Sequence, residues 1–95
     1  MLFVIAGYLK PGAEEHLVEY RDEFNEHLGP GAVNVPVAGA LRDEAGRRVG
    51  YLGFFEGEAI EDARRWLQEG PFFQAHLYDR TAVYEFKAEV GRIAG

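Results

Sequence analysis

The first apolar stretch of the chain, Leu2 to Leu9, constrains the fold more than any other feature. It is short and rich in β-branched and aromatic residues, and it ends just before Pro11-Gly12, a pair that breaks strands. This pattern predicts a β-strand. Side chains alternate between the two faces of a strand, and neither face is polar here. A strand that is apolar on both faces must be covered on both faces, so we expect it in the middle of a sheet.

Length and composition favour one domain over residues 1–95. Hydrophobic residues make up 47% of the chain, which is enough for a modest core. The net charge of −6 disfavours nucleic acid and anionic membranes as partners. There is no signal-peptide pattern and no apolar run of the ~20 residues that a membrane span needs. The absence of cysteine excludes disulfides and thiolate metal sites and agrees with a cytoplasmic location.

Two stretches have the apolar periodicity of amphipathic helices. The first runs from Ala13 to Leu28, contains no internal glycine or proline, and ends at Gly29-Pro30-Gly31. The second runs from Glu58 to Glu69 and ends at Gly70-Pro71. The aromatic segment that follows, residues 72–78, is long enough for one helical turn.

Three further stretches predict strands. Val33 to Leu41 alternates, and Pro36 within it indicates an edge position or a bulge. Arg48 to Phe55 is apolar, and the turn residues 43–46 before it predict a hairpin with the preceding strand. Thr81 to Val90 alternates cleanly, and we expect one of its faces to be wet. The residues of that wet face are Thr81, Val83, Glu85, Lys87 and Glu89.

The element order β-α-β-β-α-β predicts an α+β fold of the ferredoxin-like class, with an antiparallel sheet. Right-handed crossovers place the first and third strands in the middle and both helices on one face. The other face would expose an apolar area above the ~300–600 Å² that a monomer usually tolerates. We therefore expect a homodimer that packs sheet on sheet, with a ligand cavity beside the sheet. The alternative is a monomer whose loops and C-terminal segment cap that face.

Three segments of the chain resemble one known family. They are residues 38–46 followed by Gly50, residues 58–66, and Gly70-Pro71-Phe72-Phe73 ahead of the last strand. Together they resemble the YCII-related (YciI-like) family, whose fold is the dimeric α+β barrel shared with muconolactone isomerases. The resemblance covers nearly the whole chain. It implies a homodimer with a pocket beside the first helix, and one relative of the family is a chloromuconolactone dehalogenase.

The family has an active-site dyad that consists of a histidine on the first helix and an aspartate. This chain has other residue types at the positions that correspond to them. The family's aspartate positions fall on Leu9 and Gly70, and its histidine position falls on Phe24. Arg21 matches the arginine that precedes the histidine, and His27 lies about one helical turn after Phe24. The resemblance therefore implies a pocket in which the dyad is either displaced or lost.

His27 is the candidate catalytic residue, because an unperturbed imidazole titrates near pH ~6.5 and can act as acid or base. Arg21 is a candidate for bidentate binding of an anion. Further candidates for binding the substrate are Tyr8, Phe24 and His76, with Tyr51 and Tyr84 as additional tyrosines that could line a pocket. Each of these residues also has a purely structural interpretation. The histidines could simply be solvated or stabilised by a helix dipole, and Arg21 could pair with a nearby glutamate. The aromatic residues could pack in the core or in an interface.

Other kinds of site find little support in the sequence. The three histidines are far apart and show no metal-binding spacing, so no metal is expected. There is no glycine-rich phosphate loop after a strand, and we expect no cofactor. Serine does not occur at all, which excludes a serine nucleophile.

Three functional hypotheses follow. The first is a cofactor-free homodimer that binds a small anionic or aromatic organic molecule and carries out proton-transfer chemistry of the isomerase or lyase type. The second is a non-catalytic ligand-binding or interaction module that has lost the dyad. The third is a heme-free monooxygenase of the same barrel superfamily, supported only by an aromatic content that a core explains equally well.

Overall fold

The chain forms one antiparallel sheet with helices packed against it, in the predicted order. The computed structural model describes residues 1–28 and 34–91. The strands are β1 (Leu2–Leu9), β2 (Val37–Arg42), β3 (Arg48–Glu56) and β4 (Tyr78–Phe86). The helices are a 3₁₀ helix (Ala13–Tyr20), α1 (Arg21–Leu28), α2 (Ile60–Glu69) and the single turn α3 (Pro71–Gln74). None of the helices in these ranges is both long and apolar enough to span a membrane.

The order of the strands in the sheet is β2-β3-β1-β4, and all neighbours are antiparallel. The two strands predicted to be central, β1 and β3, are central. β2 lies at an edge, which agrees with the proline that directly precedes it. This topology confirms the predicted ferredoxin-like α+β fold.

The predicted helix from Ala13 to Leu28 is wrong in one respect, because it is two helices of different type. The first half is a 3₁₀ helix, and at its end the backbone N–H of Arg21 donates to the carbonyl of Val18. Leu17 and Tyr20, three residues apart, lie on one side in both kinds of helix, so their spacing cannot distinguish the two. The second half, α1, contains no fully buried residue.

The boundaries of two strands also differ from the prediction. Strand β2 begins at Val37; Val33, where the sequence predicted its start, lies outside the described residues. Strand β4 ends at Phe86 because its partner β1 begins opposite that residue, at Leu2, so residues 87–90 have no strand to pair with. At its other end β4 begins at Tyr78, which pairs with Leu9 across a shift in register.

The predicted wet face of the last strand is confirmed at Thr81, Glu85, Lys87 and Glu89, which are exposed, and it fails only at Val83. Val83 lies opposite Ile5 and packs against the core beneath the helices, whereas Tyr84 on the other face is 65% exposed. Alternation along β4 separates its two faces, but it does not show which of them the helices cover. That choice depends on pairing with β1.

The hairpin turn between β2 and β3 forms as predicted. The Oδ1 atom of Asp43 accepts hydrogen bonds from the backbone N–H groups of Ala45 and Arg47, each at 2.9 Å. Gly46 has a φ of 82°, a left-handed conformation that glycine adopts without steric cost. These local bonds fix the register of the two strands.

The core lies between the sheet and the helices and consists of two adjoining clusters. One contains Phe3, Ile5, Phe55, Ala63 and Leu67, and the other contains Ala13, Leu17, Phe72 and Leu77. Tyr78 packs against both clusters and so joins them. Ala63 is completely buried, which allows α2 to lie close against the sheet.

The opposite face of the sheet carries apolar side chains that face solvent. Val4 lies opposite Phe54 on β3 and Tyr84 on β4, and Val37 on β2 also lies opposite Phe54. Val37 is 48% exposed, and Phe86 packs edge to face against Phe54 with ring centroids 5.0 Å apart. We call this surface the open face. It is the uncovered face that the sequence predicted.

Candidate functional site

A small apolar slot of about 80 Å³ lies between the sheet and helices α1 and α2. Its floor is made of small residues, which include Gly7, Gly53 and Ala38. Gly7 is required for the ring of Tyr78 to lie across β1, because a Cβ atom at this position would be 2.5 Å from Cε1 of that ring. None of the residues that line the slot is an aspartate, glutamate, lysine or arginine. The slot can therefore accept an apolar group.

His27, in the last turn of α1, provides one wall of the slot. Its Nε2 atom lies 2.7 Å from the carbonyl oxygen of Trp66 on α2. Because a carbonyl oxygen can only accept, Nε2 carries the hydrogen, and Nδ1 is the nitrogen left to accept a proton. The imidazole also stacks on the indole of Trp66, with ring centroids 4.5 Å apart. Two contacts thus fix both the position and the tautomer of this histidine.

Gly70, directly after α2, lies against the same imidazole. A Cβ atom at Gly70 would be 3.4 Å from both Nε2 and Cδ2 of His27. Gly70 is one of the positions where the resemblance places the family's aspartate, so the fold brings that position and His27 together. In this chain Nε2 of His27 donates to the backbone carbonyl of Trp66. A neutral carbonyl orients the ring, but it lacks the full negative charge that stabilises an imidazolium.

Two tyrosines, Tyr51 and Tyr78, line the slot. Burial raises the pKa of the Tyr78 phenol well above its ordinary value, and the neighbouring Tyr51 raises it further. Tyr78 therefore stays protonated and can donate a hydrogen bond. The hydroxyl oxygen of Tyr51 accepts a hydrogen bond from Nη1 of Arg48 at 3.0 Å, which leaves its own hydrogen available.

The aromatic side chains around the slot are packed tightly. Phe24 stacks on Phe72 with ring centroids 4.1 Å apart and an angle of 7° between the rings, and the ring of Tyr51 lies 5.1 Å from Phe24. Such stacked and tilted pairs stabilise the wall beyond the area that they bury. These rings give the wall an aromatic, apolar surface.

Two larger grooves adjoin the slot. The first, of about 520 Å³, shares His27 and Trp66 with it and is rich in charged residues. These charged residues are Glu26, Asp62, Arg65 and Glu69. The second groove, of about 580 Å³, shares Phe24 and Tyr51 with the slot and contains Arg21. Within residues 1–28 and 34–91, no group of three histidine, aspartate or glutamate residues could hold a metal ion.

The fold brings three of the five predicted site residues together and separates the other two. His27 and Phe24 line the slot, and Arg21 lies in the adjoining groove. Tyr8 lies on the opposite face of the sheet, where the guanidinium of Arg80 is 4.4 Å from its ring centroid. His76 is exposed and lines a separate hollow that also contains His16.

Sequence reasoning did not identify Trp66, Tyr78 and Arg48 as site residues. Trp66 flanks the apolar stripe of α2, Tyr78 belongs to an aromatic segment, and Arg48 begins a strand, so none of them matches a motif. One signal was present. Gly7 interrupts an otherwise bulky strand, and a glycine in a strand often marks a close approach by another group.

Comparisons with known proteins agree with this architecture. No family model and no curated protein matches the chain. Among solved structures, the chain is similar to 5-chloro-2-hydroxyhydroquinone dehydrochlorinase (TftG) from Burkholderia phenoliruptrix in complex with 2,5-dihydroxybenzoquinone. That match has a TM-score of 0.81 and 22% identity, and it covers 92% of this chain and 94% of the other.

Two further solved structures have the same topology at lower similarity. One is an inferred antibiotic biosynthesis monooxygenase from Chloroflexus aurantiacus, with a TM-score of 0.54 and 12% identity over 99% of this chain and 100% of that one. The other is protein Atu4242 from Agrobacterium tumefaciens, with a TM-score of 0.56 and 19% identity over 99% of this chain and 100% of that one. The shared fold is ferredoxin-like α+β. At these identities the likeness establishes the fold alone.

Proposed function

We propose that this chain is a cytoplasmic YciI-like homodimer that binds a small aromatic or anionic organic molecule in the slot. We further propose that it carries out cofactor-free proton transfer of the isomerase or lyase type. The observation that carries the proposal is the state of His27. Its Nε2–H is bound to the Trp66 carbonyl, its ring lines an apolar slot, and Nδ1 is left to act as the base.

The proposed chemistry needs a base beside a carbon acid and a hydrogen-bond donor beside the oxygen where negative charge develops. Nδ1 of His27 would take a proton from the ligand, and the hydroxyl of Tyr78 would donate to that oxygen. Return of the proton to another carbon completes an isomerisation, whereas departure of a leaving group completes an elimination. Because the lining is mostly apolar, electrostatic interactions inside the slot would be stronger than in bulk water.

The likeness to TftG supports a small hydroxylated ring as the ligand. That protein is a dehydrochlorinase and was solved with a bound quinone, so its named reaction is an elimination. The slot here is about 80 Å³, smaller than the ~150 Å³ cavity that holds benzene in another protein. A ring in the slot would therefore extend into one of the two adjoining grooves.

The homodimer is supported by the open face. Val37, Tyr84 and Phe86 leave apolar surface in solvent there, and a second copy of the sheet would remove that surface from water. The interface would be self-complementary, as in other two-fold dimers.

A non-catalytic binding module is the second candidate, and one specific observation favours it. Gly70 provides no carboxylate beside His27, and the partner of Nε2 is the neutral carbonyl of Trp66, so the imidazolium that forms when Nδ1 takes a proton has no carboxylate hydrogen-bonded to it in the described residues. This candidate shares the ligand and the slot with the first. It differs in predicting that the bound ligand exchanges no protons.

The first experiment is a thermal-shift screen of small carboxylic acids, lactones and phenols, with light scattering on the same samples. A ligand present at a hundredfold its Kd adds about 2.7 kcal/mol to the unfolding free energy, which shifts the melting temperature of a domain this size clearly. We expect at least one hit, with the shift lost in His27→Ala and kept in His16→Ala. His16 is the matched control because it is exposed and contacts only Glu19.

The second experiment tests catalysis on the hits without knowledge of the product. Each hit is incubated with the protein in D₂O, and deuterium incorporation at carbon is followed by NMR. Proton transfer predicts incorporation by wild type and by His16→Ala, but not by His27→Ala. Binding without incorporation would favour the non-catalytic module, and equal binding by His27→Ala would remove His27 from the site.

A further inference from the structure

We infer that Arg48 and Arg21 form a carboxylate-binding site at the mouth of the slot. The ligand would then be a monocarboxylic acid with one ring or an equally short apolar body. This inference rests on the proposed function, because the apolar body occupies the same slot. It adds a site at a residue that no sequence pattern marked, and it names the class of ligand.

The slot and the groove that contains the two arginines are continuous. Both arginines line the groove of about 580 Å³, and that groove shares Phe24, Leu28 and Tyr51 with the slot. One molecule can therefore contact the aromatic wall of the slot and the guanidinium groups of the groove at the same time. The slot itself is too small for a substituted ring.

The charges of the two guanidinium groups are not neutralised within the chain. Neither Arg21 nor Arg48 forms an ion pair with any residue in the described ranges, as is also true of Arg42, Arg47 and Arg80. Glu14 also lines the groove, and it pairs with neither arginine. Acids outnumber bases by 16 to 10 in this chain, so two unpaired arginines on one groove leave a local site for an anion.

A hydrogen bond to Tyr51 positions the guanidinium group of Arg48. Nη1 of Arg48 donates to the hydroxyl oxygen of Tyr51 at 3.0 Å, and the Tyr51 ring lines both the slot and the groove. This bond holds the guanidinium at the boundary between the two spaces and leaves its other N–H groups free. A planar guanidinium with free N–H groups binds a carboxylate through two parallel hydrogen bonds.

The lining of the slot also limits the ligand to one acid group. No aspartate, glutamate, lysine or arginine lines the slot. A second carboxylate on the apolar body would leave water without a permanent positive charge beside it, which costs more than the hydroxyls of Tyr51 and Tyr78 return. Monocarboxylic acids should therefore bind, and diacids with a remote second group should not.

The test uses benzoate, benzamide and terephthalate as probes, with affinities measured by ligand-observed NMR. Benzamide keeps the ring and shape of benzoate without the charge, and terephthalate adds the remote acid. Wild type should bind benzoate about tenfold or more tightly than either of the others. Arg48→Gln and Arg21→Gln should each lose most of that preference while binding benzamide unchanged. Arg64→Gln, at an exposed arginine of α2, should behave as wild type.

The outcomes separate the two proposals. Equal binding of benzoate and benzamide by wild type, or unchanged benzoate binding by Arg48→Gln, would overturn the carboxylate site and leave the slot intact. Absence of binding by all three probes together with no hit in the thermal-shift screen would overturn both. Circular dichroism of each variant confirms that it is folded.

Discussion

His27 and Trp66 are 39 residues apart in the chain, and the Nε2 atom of one lies 2.7 Å from the carbonyl oxygen of the other. Their rings also stack, with centroids 4.5 Å apart. Helix α1 has no fully buried residue that could anchor it in the core. The hydrogen bond from His27 to Trp66 and the stack of Phe24 on Phe72 therefore help to connect this helix to the rest of the fold. The same contacts that fasten the helix orient the candidate base.

This bond predicts which tautomer the neutral imidazole of His27 adopts. Because a carbonyl oxygen can only accept, we expect the hydrogen on Nε2 and none on Nδ1. Long-range ¹H–¹⁵N correlation NMR distinguishes the two tautomers directly. His16 provides a comparison in the same spectrum because its Nδ1 lies 3.1 Å from Glu19 instead. A hydrogen on Nδ1 of His27 would contradict the proposed base.

The stability of the protein should depend on Tyr78 in alkaline solution. Burial raises the pKa of this phenol in the folded state above its unfolded value of about 10. Below about pH 10 both states are protonated and the stability is unaffected. Above it the unfolded state loses its proton first, so the unfolding free energy falls by up to about 1.4 kcal/mol per pH unit.

Urea unfolding of wild type and Tyr78→Phe across this pH range measures that effect. Tyr78→Phe should show a flatter decline, since it removes the titrating group. Tyr84→Phe is the control because Tyr84 is 65% exposed. The same slope in wild type and Tyr78→Phe would show that the Tyr78 phenol is not buried.

Replacement of His76 by glycine should stabilise the fold. His76 has a φ of 59°. Its N–H donates to the carbonyl of Phe73, and the N–H of Leu77 donates to the carbonyl of Phe72. His76 therefore occupies the left-handed position that ends α3. That conformation costs a residue with a Cβ atom about 1 kcal/mol, whereas glycine adopts it without this cost. We expect His76→Gly to raise the unfolding free energy by about 1 kcal/mol.

His76→Ala is the matched control in the same denaturation experiment. It removes the imidazole but keeps the Cβ atom, so it should bring no gain. If alanine and glycine stabilise the protein equally, the effect comes from loss of the imidazole and the strained backbone is not its cause.

The proposed homodimer predicts that a charge at the centre of the open face separates the subunits. Phe54 lies opposite Val4 and Val37 on that face, and its ring packs on Phe86. A lysine there remains solvated in a monomer but would be buried in a sheet-on-sheet dimer. Light scattering should give about twice the chain mass of 10.7 kDa for wild type, and the mass of one chain for Phe54→Lys.

Val18→Lys provides the control for added charge. Val18 is 67% exposed on the 3₁₀ helix, away from the open face, so this variant should remain dimeric. A wild-type protein of single-chain mass would contradict the dimer.

Local patterns in the sequence predicted the elements that depend on nearest neighbours. The apolar faces of β1 and β3 indicated two central strands, and Asp43 with Gly46 indicated the turn of the hairpin. These features follow from alternation, turn chemistry and breaker residues, which act over a few positions. The same patterns failed where the competing structures share a local spacing, as in the 3₁₀ helix from Ala13 to Tyr20.

The sequence by itself therefore determined the order of the elements, the central strands and the need to cover two faces. Only the tertiary structure decided the site. It brought His27 against Trp66 and Gly70, carried Tyr78 across Gly7, and separated Tyr8 and His76 from the slot. The physical reason is that these contacts join residues far apart in the chain. They depend on strand register and helix packing, which no short pattern encodes.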